Sequence, residues 1–166
     1  KKNFVEDQRN ILSIAEKIRR NFKRVIIFSI GGSNLGPSLM NDIFNKNDLE
    51  IIFITGSDPD EYSSIQIQED DALVISSKSL GTLETLSSYK EVCGNNFYHN
   101  TFAITANKSK ALDFGVHEEN IVSFDSSTGG RFSIWSPINI VLCLLEGEKG
   151  YKDCLLYTSP SPRDLD

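Results

Sequence analysis

Apolar residues recur at helical spacing near the start of the chain and then gather into short continuous runs. Between Phe4 and Phe22, the side chains of Val5, Ile11, Leu12, Ile14, Ala15, Ile18 and Phe22 fall near one face with charged residues between them. That spacing predicts an amphipathic helix lying on one side of a sheet. β-Branched or apolar runs follow at residues 25–29, 51–55, 72–76 and 101–105, with a weaker one at 120–124. Helix-like stretches separate them near residues 37–44, 82–92 and 108–114, and a last helix is expected over about 132–145. Strands that are apolar throughout belong to a sheet covered on both faces, because a solvated face would impose alternation. The predicted fold is therefore α/β: a doubly wound, mostly parallel five-stranded sheet with helices on both faces. In such sheets ligands bind where the loops converge at the carboxyl ends of the strands.

Loops of this kind at residues 31–36, 76–81 and 126–131 carry candidate chemistry. The first lies within IGGSNLGPS, residues 30–38. A G-x-G-x-x-G dinucleotide fingerprint needs glycine at position 33, where Ser33 stands. A P-loop matches Gly31, Gly36 and Ser38 but has Pro37 where lysine is required, so nucleotide binding is disfavoured. What remains is a tight turn in which Gly31 and Gly32 permit unusual backbone angles or close approach. Ser33 adds a hydroxyl, and Pro37 suits the first turn of a helix whose N-terminus can face an anion. An ordinary strand-to-helix turn accounts for the same residues.

The second loop reads SSKSLGTLET, residues 76–85. Hydroxyls from Ser76, Ser77, Ser79 and Thr82, with Lys78 and Gly81 among them, meet no carboxylate until Glu84. Such a short arc of donors suits the three oxygens of an isolated phosphate monoester. Ser79 or Thr82 would equally serve as a helix N-cap, whatever the function. In the third loop, STGGRFSIWSP at residues 127–137, Gly129 and Gly130 let the chain turn and present Arg131, a fixed positive charge for an anionic intermediate. His99 and His117 lie in polar connections away from these loops, which argues against a local Ser/His or Cys/His nucleophile. Cys93 and Cys143 sit like small core residues, and the acidic residues Asp58, Asp60, Glu61, Glu69, Asp70 and Asp71 read as turn, helix start and solvated face, so no metal is implied.

Charge and composition narrow the classes. A formal net charge of -6 and a pI near 5.0 argue against a general nucleic-acid binder, while leaving room for a small anionic ligand held by a few placed donors. The longest apolar stretch, residues 138–145, is far shorter than the roughly 20 residues a bilayer span requires. The three cysteines, Cys93, Cys143 and Cys154, are odd in number and scattered, so a reducing, cytoplasmic setting is expected. At 166 residues, one core and one domain are expected. The chain opens on Lys1 and its only methionine is Met40, which suggests that Lys1 is not the natural start. At the other end, CLLYTSPSPRD breaks the amphipathic pattern and resembles an in-frame sequencing adapter.

Taken together, IGGSNLGPSLM, SSKSLGTLETLSS and GGRFSIWSPI, in this order and spacing, resemble the glucose-6-phosphate isomerase family, specifically its first sugar-isomerase (SIS) domain. The resemblance covers most of residues 22–146 and implies a SIS-type sandwich over residues 1–153, truncated from a larger enzyme with two such domains, with 154–166 a non-native tail. It implies that Gly32, Ser33 and Asn34 lie beside the substrate and that Ser77, Lys78, Ser79 and Thr82 hold a sugar phosphate. Arg131, after Gly130, would stabilise an enediolate, and Glu84 would orient a catalytic histidine located elsewhere. The resemblance further implies aldose-ketose isomerisation in glycolysis and gluconeogenesis without a redox cofactor, and a homodimer; charge and apolar-run length, as above, argue against a nucleic-acid or membrane partner. Ser79 and Gly81 stand where the family often has threonine, so one hydroxyl is kept and one lost, and Gly81 is expected to weaken the phosphate contact slightly. Asn34 replaces a frequent aspartate, and residues 125–128 differ from the commonest form before Gly-Gly-Arg. The family's glutamate base and its ring-opening histidine and lysine lie C-terminal to the segment matched here. The alternatives are a non-catalytic SIS-type sugar-phosphate sensor, which has less use for Arg131, and another SIS sugar-phosphate isomerase.

Overall fold

The structure, a computed structural model, describes residues 2–46, 49–56, 58–94, 99–128 and 134–158. The amphipathic opening forms α1 (Lys2–Asn21), and the first apolar run forms β1 (Arg24–Phe28). Then follow α2 (Gly32–Phe44), β2 (Glu50–Ile54), the short α3 (Pro59–Tyr62), β3 (Asp71–Ser76), α4 (Leu83–Cys93), β4 (Thr101–Thr105), α5 (Lys108–Asp113), β5 (Ile121–Ser123) and α6 (Ile140–Thr158). All strand pairings are parallel, in the order β2-β1-β3-β4-β5. Among the described residues no helix is long and apolar enough to cross a membrane.

Alternation along the strands divides the core into two layers, because successive side chains leave opposite faces of a sheet. Val25, Ile27, Ala72, Val74, Phe102 and Ile104 pack beneath Ile11, Ile14 and Ile18 of α1, Met40 of α2 and residues 140–144 of α6. Their neighbours Ile26, Phe28, Leu73, Ile75 and Ala103 pack beneath Tyr62 of α3, Tyr89 and Cys93 of α4 and Ala111 of α5. Burial pushes the Cys93 and Cys143 thiols up to about 12, so both stay protonated and serve as core residues.

Several boundaries differ from the sequence reading for identifiable reasons. α2 begins at Gly32, not near residue 37, and Pro37 lies buried inside it. Pro37 is the sixth residue of this helix and lacks the N–H that would bond the Ser33 carbonyl, so α2 forgoes one ladder bond there. α6 begins at Ile140 after a 3-10 turn, Pro137–Asn139, in which the Ser136 hydroxyl accepts from the Ile138 N–H at 3.3 Å. The acidic run at residue 58 starts α3 as expected, the Asp58 carboxylate accepting from the Asp60 N–H at 3.1 Å.

At the amino end of the sheet, β1 and β3 are locked together by a buried ion pair. Arg24 and Asp71 are register partners, and the guanidinium donates from Nε and Nη2 to the two carboxylate oxygens at 2.8 and 2.7 Å. The Gln68 N–H donates to Asp71 at 2.7 Å, and Arg24 also reaches the Gln66 carbonyl at 2.7 Å. Asp71 is 1% exposed and Arg24 17%, so removing the carboxylate strands a shielded cation and a backbone donor. Asp71→Ala is expected to cost about 3 kcal/mol in denaturant unfolding. A loss below about 1 kcal/mol, the usual worth of an exposed pair, would contradict this role.

Candidate functional site

At the carboxyl end of the sheet the two central strands part. The β1–β3 register ends at Phe28 and Ile75. Beyond it the Ser29 N–H bonds outward to the Ile54 carbonyl of β2, while the Ser77 N–H bonds the other way, to the Ile104 carbonyl of β4, both at 3.1 Å. α2 then leaves toward the layer formed by α1 and α6, and α4 toward the layer containing α3 and α5. An open cleft of about 460 Å³ lies over this divergence, lined by Ser33, Ser77, Lys78, Ser79, Thr82, Ala106, Asn107 and Ser126. A strand-order reversal is where an open parallel sheet forms its ligand crevice. A larger hollow of about 690 Å³, near Phe22, Lys23 and Leu49, sits at the amino ends of the strands and lacks those converging loops.

The first loop turns at Gly31, whose φ of 57° and ψ of -126° suit a residue without a side chain. The Ser33 and Asn34 amides fold back onto the carbonyls of Ile30 and Gly31 at 3.3 and 2.9 Å, so this loop offers the Ser33 hydroxyl more than a set of amides. Asn34 faces inward: its Oδ1 accepts from Ser29 Oγ and Ser38 Oγ, both at 3.2 Å, and ties the strand end to the helix. Of Gly32, Ser33 and Asn34, Ser33 alone lines the cleft.

The second loop supplies most of the wall. Its backbone is clamped from β4, where the Ala106 N–H and Thr105 Oγ1 both donate to the Lys78 carbonyl, at 2.9 and 3.0 Å. Leu80 takes a left-handed φ of 44°, which costs about 1 kcal/mol for a branched side chain, and its burial at 3% exposure offsets this. Thr82 occupies the N-cap position of α4, as expected, yet its hydroxyl makes no capping bond. Instead Thr82 Oγ1 and Ser77 Oγ pair at 3.2 Å, leaving the first-turn amides of α4 without a side-chain acceptor. Uncapped amides at a helix N-terminus, beside hydroxyls and one ammonium, are groups of the kind that bind anions.

Ser33, Ser77, Lys78, Ser79 and Thr82, singled out from separate loops, therefore meet in one cleft. Glu84 stands exposed on the first turn of α4, outside the lining residues. Gly130 and Arg131 lie outside the described residues. Asp125 borders the lining residue Ser126. The backbone N–H of Ser127, 2.8 Å away, together with its side chain, holds the Asp125 carboxyl below its ordinary range, and Lys78 adds to the effect. Ala106 and Asn107 line the cleft without having been singled out. The available signal was the polar Asn107 directly after a predicted strand and before a helix, where it caps α5 by accepting from the Lys110 N–H at 3.1 Å.

The sequence matches the family described as phosphoglucose isomerase over residues 3–158, and the chain belongs to that family. Glucose-6-phosphate isomerases of Stutzerimonas stutzeri (strain A1501) and Ectopseudomonas mendocina (strain ymp) are each 32% identical to it, over 79% and 80% of this chain. The matches cover 26% and 27% of those proteins, so the chain spans about a quarter of their length. Among solved structures, a hypothetical protein of Thermus thermophilus shares the fold with a TM-score of 0.66 at 19% identity, over 96% of this chain and 46% of that one. The sugar isomerase domain of an RpiR transcription factor from Sphaerobacter thermophilus does so with a TM-score of 0.62 at 14% identity, over 94% of this chain and 89% of that one. The sheet is thus of the SIS type.

Replacing Thr82 by valine keeps the shape at the α4 N-terminus and removes one donor. Calorimetric titration with a phosphate monoester is expected to show binding weakened about tenfold, equivalent to one charge-assisted hydrogen bond of about 1.4 kcal/mol. Unchanged affinity would mean that the hydroxyl pair faces no ligand.

Proposed function

We propose that this chain is the phosphate-gripping domain of an isomerase that interconverts glucose 6-phosphate and fructose 6-phosphate, acting in the cytoplasm in glycolysis and gluconeogenesis. One observation carries the reading: Ser33, Ser77, Lys78, Ser79 and Thr82 converge on a single carboxyl-end cleft, in a chain of the phosphoglucose isomerase family. The lining holds four serine hydroxyls, one threonine hydroxyl and one ammonium, with no carboxylate among these residues, which is a donor set for a compact dianion. In this reading Ser77, Lys78, Ser79 and Thr82 hold the phosphate, while Gly32, Ser33 and Asn34 shape the wall beside the sugar.

Fixing the phosphate orients the sugar carbons, so that ring opening and proton transfer between adjacent carbons become intramolecular events. Transfer proceeds through an enediolate, whose developing negative charge Arg131, presented after Gly130, stabilises. Glu84, on the exposed first turn of α4, orients a histidine supplied from elsewhere in the assembly. The base that moves the proton comes from the remainder of a longer protein, since this chain corresponds to about a quarter of its relatives' length. Residues 1–153 then form one SIS domain of a two-domain enzyme that works as a homodimer.

Steady-state kinetics of the full-length protein separate these roles. Arg131→Ala is expected chiefly to lower kcat, by about a hundredfold or more as for removal of one oxyanion-stabilising donor. Ser79→Ala is expected chiefly to raise KM. The reverse pattern would mean that the roles are exchanged. The present 166-residue chain is expected to bind fructose 6-phosphate weakly and turn over nothing. Turnover by this chain alone would contradict the missing base, and a full-length protein that binds the sugar phosphate without isomerising it would be a sensor.

A further inference from the structure

We propose that Lys110 is an additional phosphate ligand of this cleft, admitted to it by the absence of a side chain at Gly81; the proposal rests on the sugar-phosphate reading above. A Cβ built on Gly81 would lie 3.0 Å from Lys110 Nζ and 3.5 Å from Ser79 Oγ. The ammonium of α5 and the hydroxyl of the phosphate loop thus flank the same point in space. Gly81 is not among the positive-φ glycines, so its backbone conformation does not demand glycine. What matters is its vacant side-chain position, which lets a cation from a different helix approach the loop.

The base of Lys110 is held in place. Its N–H donates to Asn107 Oδ1 at 3.1 Å, its carbonyl accepts from the Phe114 N–H at 2.9 Å, and Asn107 itself lines the cleft. Lys108, on the same helix, is neutralised by Glu118 at 2.8 Å. Lys110 forms no ion pair with a carboxylate among the described residues. A phosphate monoester carries about two negative charges at neutral pH. Lys78 supplies one balancing charge, and the flexible stem of Lys110 lets its ammonium swing onto an oxygen beside Ser79 as the second.

Titration of the full chain with fructose 6-phosphate, inorganic phosphate and glucose, at two salt concentrations, tests this. Lys110→Gln is expected to weaken binding of both phosphates about three- to tenfold and to flatten its salt dependence, since one screened ion contact is lost. Lys110→Arg is expected to stay within about twofold of the parent chain. Gly81→Thr, which pushes the ammonium aside, is expected to weaken binding despite its added hydroxyl. If Lys110→Gln binds both phosphates like the parent with the same salt slope, while Thr82→Val weakens them, Lys110 is not a ligand and the sugar-phosphate reading stands. If the parent chain binds fructose 6-phosphate no better than glucose, the reading itself fails and the assignment of Lys110 fails with it.

Discussion

The separation of β1 from β3 at their carboxyl ends is the constraint on which the site depends. Right-handed crossovers force a chain that moves outward from the sheet's centre in both directions to send its helices to opposite faces. Here β1 continues toward β2 and β3 toward β4, seen in the Ser29 and Ser77 amides bonding away from one another. No side chain has to be inserted to make the cleft. The topology opens it, and the loops on either side need only supply donors.

Opposite ends of the same strand pair carry opposite duties. The amino end holds the Arg24–Asp71 pair, in which both guanidinium bonds close β1 onto β3 and the Gln68 N–H ties the turn before β3 to the same carboxylate. The carboxyl end leaves polar groups facing a cleft, and its rigidity comes from behind: from β4 onto the Lys78 carbonyl, and from the buried Leu80 side chain beneath a left-handed backbone. A loop held from its back can present Ser77, Ser79 and Thr82 with little ordering left to do when an anion arrives, which is how preorganisation favours binding.

Much of this was legible in the sequence because its signals are local. Continuous apolar runs at residues 25–29 and 72–76 mark strands covered on both faces, and the hydroxyl-rich run after the second lines the carboxyl-end cleft. Strand order was not legible, since pairing is decided by packing between segments far apart in the chain. Pro37 read as a first-turn residue, whereas the glycines before it already take part in the helix from Gly32. Lys110 was not legible for the same non-local reason, being carried to the loop on α5, whereas Asn107 had a local signal as a polar residue between a predicted strand and a predicted helix. Gly81 illustrates the difference in kind: as a letter it is a lost hydroxyl, and in the fold it is the space beside the Lys110 ammonium.

The most direct test of the account is a map of the amides that respond to fructose 6-phosphate, by heteronuclear NMR of the isotopically labelled chain. The largest shifts are expected on Ser77, Lys78, Ser79, Gly81 and the first turn of α4, with smaller ones at Ser33 and Asn107. Shifts centred instead on the hollow near Phe22, Lys23 and Leu49, or none above those caused by glucose, would contradict it.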